Sequence, residues 1–286
     1  MVKTNKMEST DHQSNEISTV ESKKSKSMLS RMCSPFSYIF SRVNSCVVCV
    51  SNFLTHGLKS ELHLRLISGI VLGIFVLFVT MHSTVTFATM VLLLTIVIVF
   101  EWVEMISIAK EYHSDAKFAK RWKIVGVLYA FLPSACAIVI REMENGVTIT
   151  VWYFLTIWAT DTVAYFVGSN LGKRKLCPTI SPKKTYEGLI GGVTAGAIVS
   201  MVIYLVSSTK GANSLSIHGF FMLTLGVTLL SQVGDILESA LKRRFGIKDT
   251  GSIIPGHGGI MDRLDAMVLV TPFVLVVILF YGGAIF

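Results

Sequence analysis

Long apolar runs separated by short polar, basic stretches recur from about residue 64 to the end of this chain. A membrane-spanning helix needs ~20 mostly apolar residues. Seven runs approach or reach that length: roughly 64–81, 84–103, 124–141, 147–168, 188–206, 217–238 and 266–285. The first and third are the shortest. The pattern predicts an all-α, multi-pass integral membrane bundle of about seven spans. Residues 1–30 are rich in Ser, Lys, Glu, Asn and Thr, a composition that cannot bury a core and suits a disordered tail. Residues 33–54 mix aromatics with short apolar runs, which fits an interfacial helix better than a span. The chain therefore divides into a polar tail over 1–61 and a membrane domain over 62–286. The polar first 30 residues show no apolar signal-peptide core. No repeat of about 20 to 50 residues points to a solenoid.

Composition agrees: 52% of residues are hydrophobic and only 15% charged, against about 25% charged in a soluble domain. The net charge of +8 is unevenly placed. The tail through Arg65 holds nine Lys or Arg, and the connections over 104–123, after the fourth run and after the sixth run hold five each. The three alternate connections hold none, one (Arg141) and one (Lys210). Cytoplasmic loops are the ones enriched in Lys and Arg, so the alternation predicts a cytoplasmic N-terminus and an external C-terminus. Nucleic-acid binding would account for the charge but not for its alternation, and no nucleic-acid partner is expected. Five scattered cysteines, Cys33, Cys46, Cys49, Cys136 and Cys177, lack the spacing of a disulfide framework.

Some residues are accounted for by packing. Gly188, Gly192 and Gly196 recur at i, i+4 and i+8, a small-residue stripe that lets helices approach closely in lipid. Trp102 reads as an interfacial anchor. Glu101 and Glu104 beside it read as structural residues at headgroup level.

Other residues are not. Asp235, Glu238, Ser239 and Lys242 fall at i, i+3, i+4 and i+7 and share one helical face. An Asp at mid-membrane costs about 2.5–3.5 kcal/mol on insertion scales, so it pairs with a lysine, lines a wet cavity or binds an ion. Asp262 and Asp265 share a face at the start of the last run. Mg²⁺ usually takes one or two carboxylates plus phosphates and waters, and Asp235, Asp262 and Asp265 can form one metal cluster. Between them, Gly256, Gly258 and Gly259 suit an anion-binding turn. His257 is either a phosphate donor or a satisfied loop residue. Lys242, Arg243, Lys248 and Arg263 can contact phosphates by charge-assisted bonds. A second constellation runs from Asp161 to Gly188. Asp161 carries the same burial penalty as Asp235. Ser181 and Thr185 can cap a helix or bind phosphate, while Lys183 and Lys184 can act as point charges.

With these residues set out, Ser239–Asp265 resembles the signature of the phosphatidate cytidylyltransferases, or CDP-diacylglycerol synthases. The pattern is Ser-x-x-Lys-Arg, Lys-Asp-x-Gly, Pro-Gly-His-Gly-Gly and Asp-Arg-x-Asp. Here it is filled by Ser239, Lys242, Arg243, Lys248, Asp249, Gly251, Pro255 through Gly259, Asp262, Arg263 and Asp265. The stretch with Ser181 through Thr185, Glu187 and Gly188 resembles the family's other block. Ala266 and Tyr186 depart from residues common there (Ser and Trp), and the chain has fewer early spans than some bacterial members. The resemblance covers about residues 62–286. It implies cytidylyl transfer from CTP to phosphatidate with Mg²⁺ and room for a second cation. It also implies metal on Asp235, Asp262 and Asp265, and catalytic roles for Lys242, Lys248, Arg263, Asp161 and His257. Substrate binding would fall to Ser181, Lys183, Lys184, Thr185, Ser239, Arg243, Gly256, Gly258 and Gly259. The expected setting is a bacterial cytoplasmic membrane with the site facing the cytoplasm, and a homodimer is left open. A CTP-dependent lipid or polyprenol kinase and an ion transporter are the alternatives.

Overall fold

A computed structural model of the chain describes residues 61–109, 112, 114–208, 215–247, 250, 259–281 and 285. The expected tail and the interfacial helix at 33–54 lie outside them. By contacts the chain divides into Met1–Leu64 and Arg65–Phe286, and everything below concerns the second unit, whose first helix begins four residues before that division. Its helices are α1 (Glu61–His82), α2 (Thr84–Ser107), α3 (Ala116–Glu142), α4 (Gly146–Asn170), α5 (Tyr186–Ser208), α6 (Ile217–Arg244) and α7 (Met261–Phe280). Strands β1 (Lys175–Cys177) and β2 (Ser181–Thr185) form an antiparallel hairpin between α4 and α5. The all-α expectation holds apart from this hairpin.

Among the described residues six helices, α2 to α7, are long and apolar enough to cross a membrane. In α1 the described apolar stretch is Gly69–His82. The third span, expected to be short, is instead a 27-residue helix. Its start is set by Asp115, whose side chain accepts the Lys117 N–H at 2.8 Å, an ordinary N-cap. Lys117, Lys120, Arg121 and Lys123, expected in a loop, therefore lie on the first turns of α3.

In lipid, apolar side chains gain little by leaving the solvent, so close packing and interhelical hydrogen bonds hold a bundle together. Both occur here. A Cβ at Gly188 would lie 2.7 Å from the Ala164 carbonyl oxygen, and one at Gly192 would lie 2.6 Å from that of Thr160. The glycine stripe thus lets α5 lie backbone to backbone against α4, as expected. Trp152 Nε1 donates to the Ser200 hydroxyl, which meets the Thr224 hydroxyl at 2.7 Å, tying α4, α5 and α6 through a buried polar belt. Arg141 donates from Nε to the Thr80 carbonyl at 2.9 Å, satisfying a carbonyl in the last turn of α1.

The main core joins Phe87 of α2, Trp152 and Tyr153 of α4, Phe220 of α6 and Val270 of α7. A second cluster of Trp102, Met105, Ile106, Phe245 and Met261 lies at the other end of α2. Trp102 is only 1% exposed and its indole N–H donates to the Trp122 carbonyl at 2.9 Å. It is a core residue here and not the expected interfacial anchor, because Gly126 of α3 leaves room for its ring.

Candidate active site

Helix α6 stays unbroken to Arg244, which keeps Asp235, Glu238, Ser239 and Lys242 on one face. Helix α7 begins at Met261, five residues earlier than expected, so Asp262 and Asp265 occupy its first two turns. The two helices come together at Gly234, where a Cβ would lie 2.7 Å from the Asp265 carbonyl oxygen. That close approach brings the acids of both helices into one cluster.

Lys242 Nζ bonds Asp262 Oδ1 at 2.7 Å and stands 3.5 Å from Glu238 Oε1. Glu238 is 1% exposed, and both its carboxylate oxygens are buried with no hydrogen bond. The Asp265 side chain interacts with Asp235 and Glu238. The second constellation joins at this point. In the hairpin, alternate residues face opposite ways, which leaves Lys183 exposed and turns Lys184 inward. Lys184 Nζ meets Asp235 Oδ2 at 2.7 Å and the Gln232 carbonyl at 3.2 Å. Gln232 in turn donates from Nε2 to Asp161 Oδ1 at 2.9 Å. The lysine partner that sequence allows for Asp235 is therefore real, and it links the two blocks.

The loop before α7 is held at its neck by two carboxylates. Asp262 Oδ2 accepts the N–H of Thr250 at 3.2 Å and that of Gly259 at 3.0 Å. Glu101 of α2 accepts the Ile260 N–H at 2.9 Å, the Met261 N–H at 2.7 Å and the Thr250 hydroxyl at 3.5 Å. The cap position of α7, Ile260, has no side-chain cap of its own. Glu101 supplies that cap from another helix, where a carboxylate also gains from the positive end of the helix dipole. It is buried at 1% exposure, whereas Glu104 is exposed. The reading of Glu101 as a headgroup-level residue is corrected accordingly.

Several predicted residues have local tasks. Thr185 Oγ1 accepts the Gly188 N–H at 3.1 Å and the residue is 3% exposed, so of its two expected roles it performs the capping one. Arg243 donates to the carbonyls of Ile180 and Ile247, each at 3.3 Å, tying the hairpin turn to the end of α6. Ser181 sits on β2 opposite Cys177. Ser239 is half-buried on α6, and Arg263 is exposed in the first turn of α7. Gly259 marks the end of the loop neck. Lys248, Gly256, His257 and Gly258 lie outside the described residues.

Charge decides what the cluster can do. Asp161, Asp235, Glu238, Asp262 and Asp265 are set against two lysines at contact distance, Lys184 and Lys242. Buried carboxylates are paired or coordinate a metal, so the surplus calls for cations. Among the described residues no three His, Cys, Asp or Glu side chains form a ready-made metal cage. Asp262 stands apart because both its oxygens are committed to Lys242 and the loop neck. What remains is Asp235, paired with Lys184, and Asp265, with Glu238 behind them beside Lys242. A cation such as Mg²⁺ takes one or two carboxylates and completes its shell with water and phosphate.

Sequence reasoning left Glu101 and Gln232 out of the site and named Glu238 only as sharing the face of Asp235. Glu238 and Gln232 carried a signal, since both lie three residues from Asp235 on its face. Glu101 reads as structural from sequence because the N–H groups it caps lie more than a hundred residues away.

Comparison with known proteins gives the same direction. The sequence profile of the cytidylyltransferase family matches residues 113–281. The chain is 34% identical over 172 residues to the phosphatidate cytidylyltransferase of Haemophilus influenzae, covering 57% of this chain and 60% of that protein. With the enzyme of the same name from Bacillus subtilis it shares 43% over 135 residues, 47% of this chain and 49% of the relative. These two matches span less than two thirds of the relatives' own length. The phosphatidate cytidylyltransferase of Brucella abortus is 31% identical over 267 residues, covering 79% of this chain and 95% of that protein.

Proposed function

The chain belongs to the cytidylyltransferase family, and on that premise we propose that it transfers the cytidylyl group of CTP to phosphatidate, giving CDP-diacylglycerol and pyrophosphate. The observation that carries this reading is the acidic surplus at the α6–α7 junction, bordered by lysines from both sequence blocks. A site with that charge pattern holds polyphosphate through cations and lysines together.

In the reaction a phosphate oxygen of phosphatidate forms a bond to the α-phosphorus of CTP, and the bond from that phosphorus to the bridging oxygen breaks as pyrophosphate leaves. Such transfer depends on positioning and charge stabilisation, with little covalent work for the protein. Asp235 and Asp265, with Glu238 behind them, would hold Mg²⁺. Bound there, Mg²⁺ would supply positive charge to offset the negative charge that develops on the phosphates during transfer. Lys242 is held by Asp262 and Glu238 and points its ammonium group at the cluster, a fixed positive charge for the leaving pyrophosphate. Lys184 does the same from the hairpin, and exposed Lys183 and Arg263 meet phosphates at the rim. Asp161 accepts from the Gln232 side chain, and the Gln232 main-chain carbonyl accepts from Lys184. Phosphatidate already carries an oxyanion at neutral pH, so no general base is needed. The alternation of basic connections supports a cytoplasmic N-terminus and a site open to the cytoplasm, where CTP is found. The setting is the inner membrane of a bacterium.

The test uses purified protein in detergent with phosphatidate, Mg²⁺ and CTP labelled at the α-phosphate, comparing wild type with Asp265→Asn. The expected result is label in the lipid and release of pyrophosphate, both lost in the variant. Label that stays on CDP while a lipid alcohol gains the γ-phosphate would replace this reading with a kinase.

A further inference from the structure

An isolated two-stranded hairpin is at best marginally stable in water, and the β1–β2 hairpin has an irregular ladder as well. It pairs Lys175 with Thr185 and Cys177 with Ser181, and β2 has two more residues than β1 between those pairs. The irregularity falls at Lys183 and Lys184. Yet Lys184 reaches Asp235 and the Gln232 carbonyl on α6 at 2.7 and 3.2 Å. A lysine side chain has large rotamer entropy to lose, so holding its ammonium at one carboxylate requires a fixed backbone beneath it.

The base of the hairpin is fixed from two sides. Thr185 is 3% exposed and lies in a socket of glycines: Gly168 near the end of α4, Gly172 just past it and Gly188 in the first turn of α5. A Cβ at Gly168 or Gly188 would stand 3.1 Å from Thr185 Oγ1, and one at Gly172 would stand 2.6 Å from both Oγ1 and Cγ2. The socket exists because none of the three carries a side chain. Inside it the Thr185 hydroxyl accepts the Gly188 N–H at 3.1 Å. Two residues on, the Glu187 carboxylate accepts the N–H groups of Lys173 at 3.1 Å and Arg174 at 3.2 Å. The Arg174 carbonyl accepts the Tyr186 N–H at 3.0 Å. The chain entering β1 and the chain leaving β2 are thus both fastened to the first turn of α5. Adjacent strand residues point opposite ways, so seating Thr185 between α4 and α5 aims Lys184 away from them, at α6.

We propose that Thr185 and Glu187 are positioning residues for the transfer reaction: together they fix the base of the hairpin so that Lys184 presents its ammonium at Asp235 and to the substrate phosphate there. The proposal rests on the reading of the chain as a cytidylyltransferase acting on phosphatidate. A cap that served α5 alone would act on turnover whatever residue stood at 184. Here its effect passes through Lys184.

A double-mutant cycle in the full-length protein tests this. Thr185→Val keeps the shape and removes the acceptor, and it lowers kcat/KM for CTP about three- to tenfold, the fold-change of one lost cap. Thr185→Ser keeps the hydroxyl and restores most of the loss. Glu187→Ala behaves like Thr185→Val. In a Lys184→Met background neither substitution has a further effect, because coupled residues are not additive. Hydrogen exchange read by mass spectrometry is independent of turnover: amides over 173–185 exchange roughly tenfold faster in both single variants while those of α6 keep their protection. Additive losses in the Lys184→Met background, or unchanged kcat/KM and exchange in both single variants, overturn the proposal. If the wild type transfers no cytidylyl group, the reaction reading fails. The same cycle is then read on the Kd for CTP with Mg²⁺ by calorimetry, where coupling to Lys184 sustains the positioning role and additivity or absence of binding overturns it. A variant that loses its fold shows a lowered melting temperature and faster exchange in every helix, and the milder Glu187→Gln then takes its place.

Discussion

The reach of Glu101 across the bundle gives a sharp prediction. Its carboxylate takes the first two N–H groups at the start of α7, at 2.9 and 2.7 Å, and it is buried. Glu101→Gln keeps the size but places an NH₂ group against a backbone N–H, so one bond is lost. A hydrogen bond to a charged group contributes about 1.5–3 kcal/mol, equivalent to a factor of roughly 10–150 in an equilibrium constant. Glu101→Ala loses both bonds and strands two buried donors, about 3–6 kcal/mol on the same scale. The strain falls on the turn that carries Asp262 and is followed by Asp265. The expected result is therefore a kcat for cytidylyl transfer lowered at least tenfold in Glu101→Gln and nearly abolished in Glu101→Ala, with a lowered melting temperature in detergent. Exposed Glu104→Gln serves as the control and keeps wild-type values. A Glu101→Gln protein with wild-type kcat and wild-type melting would refute the idea that this residue holds α7 in register.

Four further predictions concern other parts of the site and bundle. Lys184→Met leaves Asp235 without its cation; because Asp235 is 37% exposed, the stability loss should be about 1–3 kcal/mol, below the 3–5 of a fully buried pair. A double-mutant cycle with Asp235→Asn should show coupling, and additive effects would remove the pair from the account. Glu238→Gln should raise the Mg²⁺ concentration for half-maximal turnover severalfold, and an unchanged Mg²⁺ dependence would exclude Glu238 from the metal environment. Gly192→Val forces a Cβ to 2.6 Å from the Thr160 carbonyl and should destabilise the α4–α5 pair by about 1–3 kcal/mol or more. Gly69→Ala, with open space around its Cβ, should be neutral or slightly stabilising in a melting assay.

Much of this molecule was legible in one dimension. The apolar runs are long because every backbone group in lipid must be bonded within its own helix, and that constraint writes helix number and position into the chain. The glycine stripe of α5, the one-face grouping of Asp235, Glu238 and Lys242, and the motifs around Asp262 are all local patterns with helical spacing. What escaped depends on contacts between distant segments. Trp102 looks like an interfacial anchor until Gly126 of another helix is found to receive its ring. Glu101 looks like a headgroup-level acid until the start of α7 is found against it. The same holds for Lys184 choosing Asp235 and for Asp262 turning to the loop neck. Periodicity states which residues share a face. Only the packed bundle decides what that face meets, because a side chain's partner, burial and charge balance are set by helices that the sequence places far away.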